Sequence, residues 1–134
     1  MAAWSHLANA ALINWVLHDI RKHPDRWAAA RDAARDDVRE AARAAAWAAA
    51  WDTARDTAQE AVWEAVWDAV WEAVRGAARG AARDAARDSV AALVAWDDCQ
   101  EVLDLPMDAF KFFVEVQDPR AVLLYPLKHI KETS

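Results

Sequence analysis

Residues 27–90 read WAAARDAARDDVREAARAAAWAAAWDTARDTAQEAVWEAVWDAVWEAVRGAARGAARDAARDSV. From Trp27 onward the chain counts in fours. The first place of each tetrad is Trp or Arg almost throughout: Arg31, Arg35, Arg39 and Arg43 lead to Trp47 and Trp51, and after Arg55 and Gln59 come Trp63, Trp67, Trp71, Arg75, Arg79, Arg83 and Arg87. The second place is usually acidic, as at Asp32, Glu40, Glu64, Asp68 and Asp84, and the third and fourth are mostly Ala, with Val62, Val66, Val70 and Val74 in the fourth. Alanine is the best helix former and Gly and Pro the worst, and the whole chain has 2 Gly and 4 Pro. Runs rich in β-branched residues are too few for a sheet, so the composition predicts an all-α fold, a compact bundle of Ala-rich helices.

Four residues is not the period of a helix. At 100° per residue, a step of four overshoots a full turn by about 40°, so the Trp/Arg stripe creeps around the axis and closes a circuit in about nine tetrads. One straight helix over 27–90 would be roughly 96 Å long with its stripe wound nearly twice around. No flat partner could bury that stripe. Either the helices supercoil with a right hand, or the tract is cut into shorter helices that each use part of the stripe. The second suits a chain of 134 residues, since helices in compact domains are short. Breaks are expected near Thr53–Thr57 and at Gly76 or Gly80, where helix propensity falls. The small alanines allow close helix approach, and AVWEAVWDAVWEAV (61–74) is the segment expected to contribute most core area.

The flanks extend this into a single helical domain, 1–134. Residues 1–23 read as one helix, capped by Ser5 and ended at His23-Pro24, because the residue before proline avoids the helical region. Trp4, Leu7, Ala8, Ala11 and Trp15 form one apolar stripe, and Ile13, Val16, Leu17 and Ile20 a second on nearly the opposite side. Such a helix wants partners on two sides, within the fold or from another subunit. Residues 91–134 leave the repeat. Val94, Trp96, Cys99 and Leu103 are expected to carry a helix to about Leu105. Pro106 then starts a short helix over 106–116, with Met107, Phe110, Phe113 and Val114 inward, and Asp118-Pro119 starts another over 119–131, bent near Pro126.

Charge and motif content narrow the function classes. The acids outnumber the bases, 22 to 16, for a net charge of −6. That disfavours nucleic acid and anionic lipid as partners, and the interleaved acids spoil the resemblance of the Trp/Arg tract to an interfacial peptide. No run of about 18 apolar residues is present, so no transmembrane helix is expected, and the N-terminus has no basic segment of the signal-peptide kind. The single cysteine, Cys99, suits packing in a helix rather than a disulfide. His6, His18, His23 and His129 are scattered, with no H-E-x-x-H, and no phosphate-loop or dinucleotide glycine motif occurs. No catalytic residues, metal or cofactor are expected, and the default location is the cytoplasm.

Most of the arginines have an ordinary use. Asp32–Arg35, Asp36–Arg39, Glu40–Arg43, Asp52–Arg55, Glu72–Arg75 and Asp84–Arg87 are acid-then-base pairs at i,i+3, which support an exposed helix. VRGAARGAAR (74–83) differs. Glycine fills its acidic slot, so Arg79 and Arg83 lack the acid their neighbours have, and the stretch follows directly on Trp63, Trp67 and Trp71. Indoles stack on planar rings and guanidiniums pair with phosphates, so this is the place in the repeat where a ligand is expected. A helix break with solvated arginines is the plainer alternative.

WAAARDAARD, AAWAAAWDTARDTA and GAARGAARDAARD, followed by VAWDDCQEVLDLP and DPRAVLLYPL, resemble a group of small uncharacterised proteins encoded by bacteriophages, over residues 27–127. The resemblance implies a setting, an accessory phage product of the kind that counters host defence or modifies the host, and with it the cytoplasm of a bacterial host. Together with the residues it leads to one expectation: a non-enzymatic protein that binds and sequesters a small anionic, nucleotide-like ligand, with Trp63, Trp67 and Trp71 stacking and Arg75, Arg79 and Arg83 taking phosphates. The alternative is an oligomeric helical protein–protein module or scaffold, including an inhibitor of a host protein. In both cases a homo-oligomer is expected, because an Ala-rich helix with an apolar spiral pairs well with copies of itself.

Overall fold

The structure is a computed structural model that describes residues 4–30, 36–54, 57–74 and 80–133; for residues 36, 51–54, 57–60 and 74 it describes the backbone alone. The described residues form eight helices and no strand: α1 (Ala10–Lys22), α2 (Pro24–Ala29), α3 (Asp36–Ala54), α4 (Thr57–Val74), α5 (Gly80–Ala95), α6 (Cys99–Leu103), α7 (Met107–Glu115) and α8 (Pro119–Thr133). The chain is all-α, as its composition requires. Among the described residues no helix is long and apolar enough to cross a membrane.

The tetrad tract is divided among the end of α2, which carries Trp27, and α3, α4 and α5; the end of α3 at Ala54 and the starts of α4 at Thr57 and α5 at Gly80 fall at expected places, whereas the end of α2 at Ala29 falls at none of them; Gly76 lies outside the described residues. Ring contacts show that the chain reverses between α3 and α4 and between α4 and α5. Trp47 and Trp63 would lie about 24 Å apart along one straight helix, yet their ring centroids are 5.5 Å apart. Arg83 lies 4.8 Å from the ring of Trp71, where a continuous helix would hold them about 18 Å apart.

The creep of the stripe is visible in the burial pattern. The fourth place of the tetrad faces the core in all three helices: Ala42, Ala46 and Ala50 on α3, Val62, Val66 and Val70 on α4, and Ala82, Ala86 and Val90 on α5 are all buried. The first place starts beside this seam and turns outward along each helix. Arg39 is buried, Arg43 half-buried and Trp47 exposed; Trp63 is 4 % exposed, Trp67 half-buried and Trp71 56 % exposed. The third place turns the other way: Ala61 is exposed, Ala65 and Ala69 half-buried and Ala73 buried. Both drifts follow from the rotation of about 40° per tetrad. The bulky 61–74 segment therefore gives the core its valines and Trp63, while Trp67 and Trp71 move to the surface.

Helix α5 is the axis of the bundle and packs against α1, α2, α3, α4 and α8. Every residue from Asp88 to Ala95 is buried, which the small side chains of this stretch permit. Polar groups tie it in place. Ser89 Oγ donates to the carbonyl of Leu123 at 3.1 Å, and Asn9 Nδ2 donates to the carbonyls of Leu93 and Trp96 at 3.0 and 2.7 Å. Asn9 thus satisfies carbonyls at the C-terminal end of α5, which a helix cannot satisfy itself. This explains one departure from expectation. Helix α1 begins at Ala10, after turns, and Ser5 is not its cap.

Part of each apolar stripe of the N-terminal segment finds cover inside the chain, while Ala8 and Ala11 stay exposed. Ile13, Val16 and Ile20 are fully buried, Trp4 is buried and donates its indole N–H to Asn14, and the Lys131 ammonium lies 4.6 Å over the Trp15 ring. A second departure is at the end of the repeat, where α5 stops at Ala95 and α6 starts afresh at Cys99. The side chain of Lys128, buried on α8, donates to the carbonyls of Leu103 and Leu105 at 2.8 and 2.7 Å, so it closes α6. Helix α7 follows Pro106 with Phe110 buried, and α8 starts at Pro119 and runs on through Pro126.

The rotation of the third place gives a graded test. Ala61→Glu should change stability by no more than about 0.5 kcal/mol, whereas Ala73→Glu, which buries a carboxylate, should cost several kcal/mol. Urea unfolding of the two variants measures this, and equal effects would contradict the creeping geometry.

Candidate functional site

The first places of α3, α4 and α5 converge on one side of the bundle. Trp63 stands at the centre, 5.5 Å from Trp47 of α3 at a tilt of 48° and 4.8 Å from Trp67, one turn on, at 46°. Helix α5 supplies the cations. The guanidinium of Arg83 lies 4.8 Å from the Trp71 ring centroid and that of Arg87 lies 5.4 Å from Trp67, both within the range of a cation–π contact.

Two adjoining clefts open along this face. The outer one, about 460 Å³, is lined by Trp67, Asp68, Val70, Trp71, Arg83 and Arg87. The inner one, about 260 Å³, is lined by Arg43, Trp47, Trp63, Trp67, Arg87, Asp88 and Ala91. Trp67 and Arg87 belong to both walls. Two buried N–H groups of the lining residues, Trp63 Nε1 and Arg83 Nε, have no acceptor among the described residues.

Where both members of an expected i,i+3 pair are described, the charges are arranged otherwise. Most of those pairs involve side chains outside the described residues, but Glu40–Arg43 and Asp84–Arg87 do not, and neither forms an ion pair. Arg43 turns instead to Asp88 on α5, with Nε 2.6 Å from Oδ1. Arg39 donates to Asp88 Oδ2 from Nε at 3.1 Å and from Nη2 at 3.0 Å. Asp88 sits in the acidic slot, which is exposed at Glu40, Glu64, Asp68 and Glu72 but buried at Asp88 itself, so its charge needs partners; Arg39 and Asp88 are each 3 % exposed. Burial opposes the charge on Arg43, but its hydrogen bond to Asp88 and the charges of Asp88, Asp84 and Glu40 outweigh it, and its pKa is raised. Among the described residues, Arg83 and Arg87 have no carboxylate at ion-pair distance; their contacts are the indole faces.

Of the ligand residues expected from sequence, the structure brings Trp63, Trp67, Trp71 and Arg83 together. Arg75 and Arg79 lie outside the described residues. The sequence reading missed Trp47, Arg43 and Arg87. Arg87 was hidden by the acid three residues before it, and Trp47 by the packing of α3 against α4, which sets it beside Trp63.

The lining offers indoles, guanidiniums and carboxylates but no hydroxyl, thiol, imidazole or amine. Among the described residues, no three of His, Cys, Asp and Glu are grouped so as to hold a metal ion. Cys99 is on α6, outside the lining and fully buried; burial, then the charge of Asp98, pushes its thiol from 9.0 up to about 12, so it stays protonated at neutral pH. No family model, no curated protein and no solved structure matches the chain.

Removing the shared counter-ion should be costly. Asp88→Ala leaves two guanidiniums facing each other in the core, and the expected loss is about 3–5 kcal/mol, read from urea unfolding. A loss below 1 kcal/mol would show that the cluster does not carry the α3–α5 contact.

Proposed function

We propose that this chain is a non-enzymatic binding protein that takes a small planar anion of the nucleotide type into its tryptophan–arginine cleft. The observation that carries the proposal is the pair of guanidiniums, Arg83 and Arg87, which rest on indole rings and are not neutralised by any carboxylate among the described residues. A planar ring can stack on the exposed indole of Trp71. A phosphate beside it meets both arginines, and charge-assisted hydrogen bonds of this kind are about twice as strong as neutral ones. The cleft volume of about 460 Å³ is in the range of sites for small molecules, roughly 300–1,000 Å³.

A small ligand suits the surface better than a polymer. Glu40, Glu64, Asp68 and Glu72 are exposed on α3 and α4, and they would repel the further phosphates of a nucleic acid. Asp88 is held by two arginines, and no hydroxyl, thiol or imidazole stands with Asp68 among the described residues of the outer lining, which favours holding the ligand over transforming it. The resemblance to phage-encoded proteins supports a setting in a bacterial host cytoplasm, where sequestering such a ligand is an accessory or counter-defence role.

A second proposal has its own observation. Phe112 and Val116 are exposed on α7 and its end, and Phe112 lies edge-on to Phe113. This apolar patch, apart from the cleft lining, favours self-association or docking on a host protein. Light scattering should then give a mass above that of one chain, and Phe112→Ser should return it to one chain; a single-chain mass for the unaltered protein would rule out the homo-oligomer.

The cleft is tested by titrating the tryptophan fluorescence with adenosine monophosphate. Quenching is expected, with affinity falling as salt is raised. Arg83→Gln and Arg87→Gln should each weaken binding about tenfold or more, and Asp68→Asn, which removes the one unneutralised carboxylate of the outer lining, should tighten it. Absence of quenching, or unchanged affinity in the double Arg83→Gln, Arg87→Gln variant, would remove the proposal.

A further inference from the structure

The two clefts are chemically unequal and share one edge, and this limits what can fill both. The outer one has an exposed indole, Trp71, and the cation of Arg83. The inner one is smaller, about 260 Å³, below the roughly 300 Å³ at which sites for whole small molecules begin. It has room for one planar ring. Its walls are the indoles of Trp47 and Trp63, and its one carboxylate, Asp88, is already bonded by Arg39 and Arg43. Nothing in the inner cleft calls for a second phosphate. What it offers is aromatic surface, chiefly the half-exposed indole of Trp47 beside Trp63. A nucleobase has the flat faces to stack there. Arg87 lies over Trp67 on the edge common to both clefts, so the cation stands between two ring-sized spaces.

We infer that the ligand is a dinucleotide-type anion: one base in the outer cleft against Trp71, a second in the inner cleft against Trp47 and Trp63, and the phosphodiester that joins them on Arg87. This deepens the proposed function and rests on the cleft being an anion site. The arrangement explains why the cation on the shared edge is held by an indole and not by an acid: a carboxylate there would repel the bridging phosphate.

Calorimetric titration with adenosine monophosphate and with adenylyl-(3′,5′)-adenosine separates the two levels of the proposal. The dinucleoside phosphate carries less negative charge than the mononucleotide, so charge alone predicts that it binds more weakly. The bridging geometry predicts the reverse: one dinucleoside phosphate per chain, bound at least about tenfold more tightly, because a second base stacks. Trp47→Leu should lower the affinity for the dinucleoside phosphate at least about tenfold more than that for the mononucleotide. Mononucleotide binding with no advantage for the dinucleoside phosphate overturns the bridging inference and leaves the anion site standing. So does binding of two mononucleotides per chain with equal loss of both ligands in Trp47→Leu. Failure of both ligands to bind overturns this inference and the proposed function together.

Discussion

The mismatch between a sequence that repeats every four residues and a helix that turns every 3.6 governs the whole molecule. A seam that drifts about 40° per tetrad can face a fixed core for only a few tetrads before it points to solvent. Helices α3 and α4, of 19 and 18 residues, stop at about that limit. Within each helix the fourth place stays on the core side because the core direction bisects its drift. The first place, one residue on, has no such luck and swings outward. Indoles and guanidiniums are thereby delivered at graded depths along the same side of each helix, and three helices doing this side by side produce a cleft.

Helix α5 converts that geometry into chemistry. Its acidic slot turns inward along the helix, from exposed Gly80 through half-buried Asp84 to Asp88, which is 3 % exposed. A buried carboxylate must be paired or it destabilises the fold. It takes Arg39 and Arg43 from α3. That draws the cations of α3 into the bundle, while the next arginines of α5, Arg83 and Arg87, rest on the tryptophans of α4. The structural ion cluster and the free guanidiniums of the cleft have one origin.

Helix content, the cuts in the repeat before Thr57 and Gly80, and the roles of Pro106 and Pro119 were legible because they depend on local propensity and on angle arithmetic. Trp63, Trp67, Trp71 and Arg83 were legible as a group for the same reason, since they are near neighbours in sequence and one of them lacks a local acid. Trp47 and Arg43 were not, because their place depends on the packing of α3 against α4 and α5. The i,i+3 pairing rule failed at Glu40–Arg43 and Asp84–Arg87 because it describes a helix alone in water. A buried acid on a neighbouring helix claims Arg43, and an indole face holds Arg87. The start of α1 and the separate α6 also depend on distant partners: Asn9 leaves the helix to close α5, and Lys128 closes α6 from 25 residues away.

The rotation recorded in Trp63, Trp67 and Trp71 has a consequence for how such a chain can change length over generations. A near-repetitive coding tract is prone to gain or lose a unit when copied. Here one added tetrad would conserve every residue type and the helix itself, yet it would swing all that follows in the same helix by about 40°, turning a buried valine toward the flank and an exposed indole further from its neighbours. Units are thus interchangeable in composition but not in number, and selection on the fold would act as a length counter for a sequence that otherwise looks free to expand.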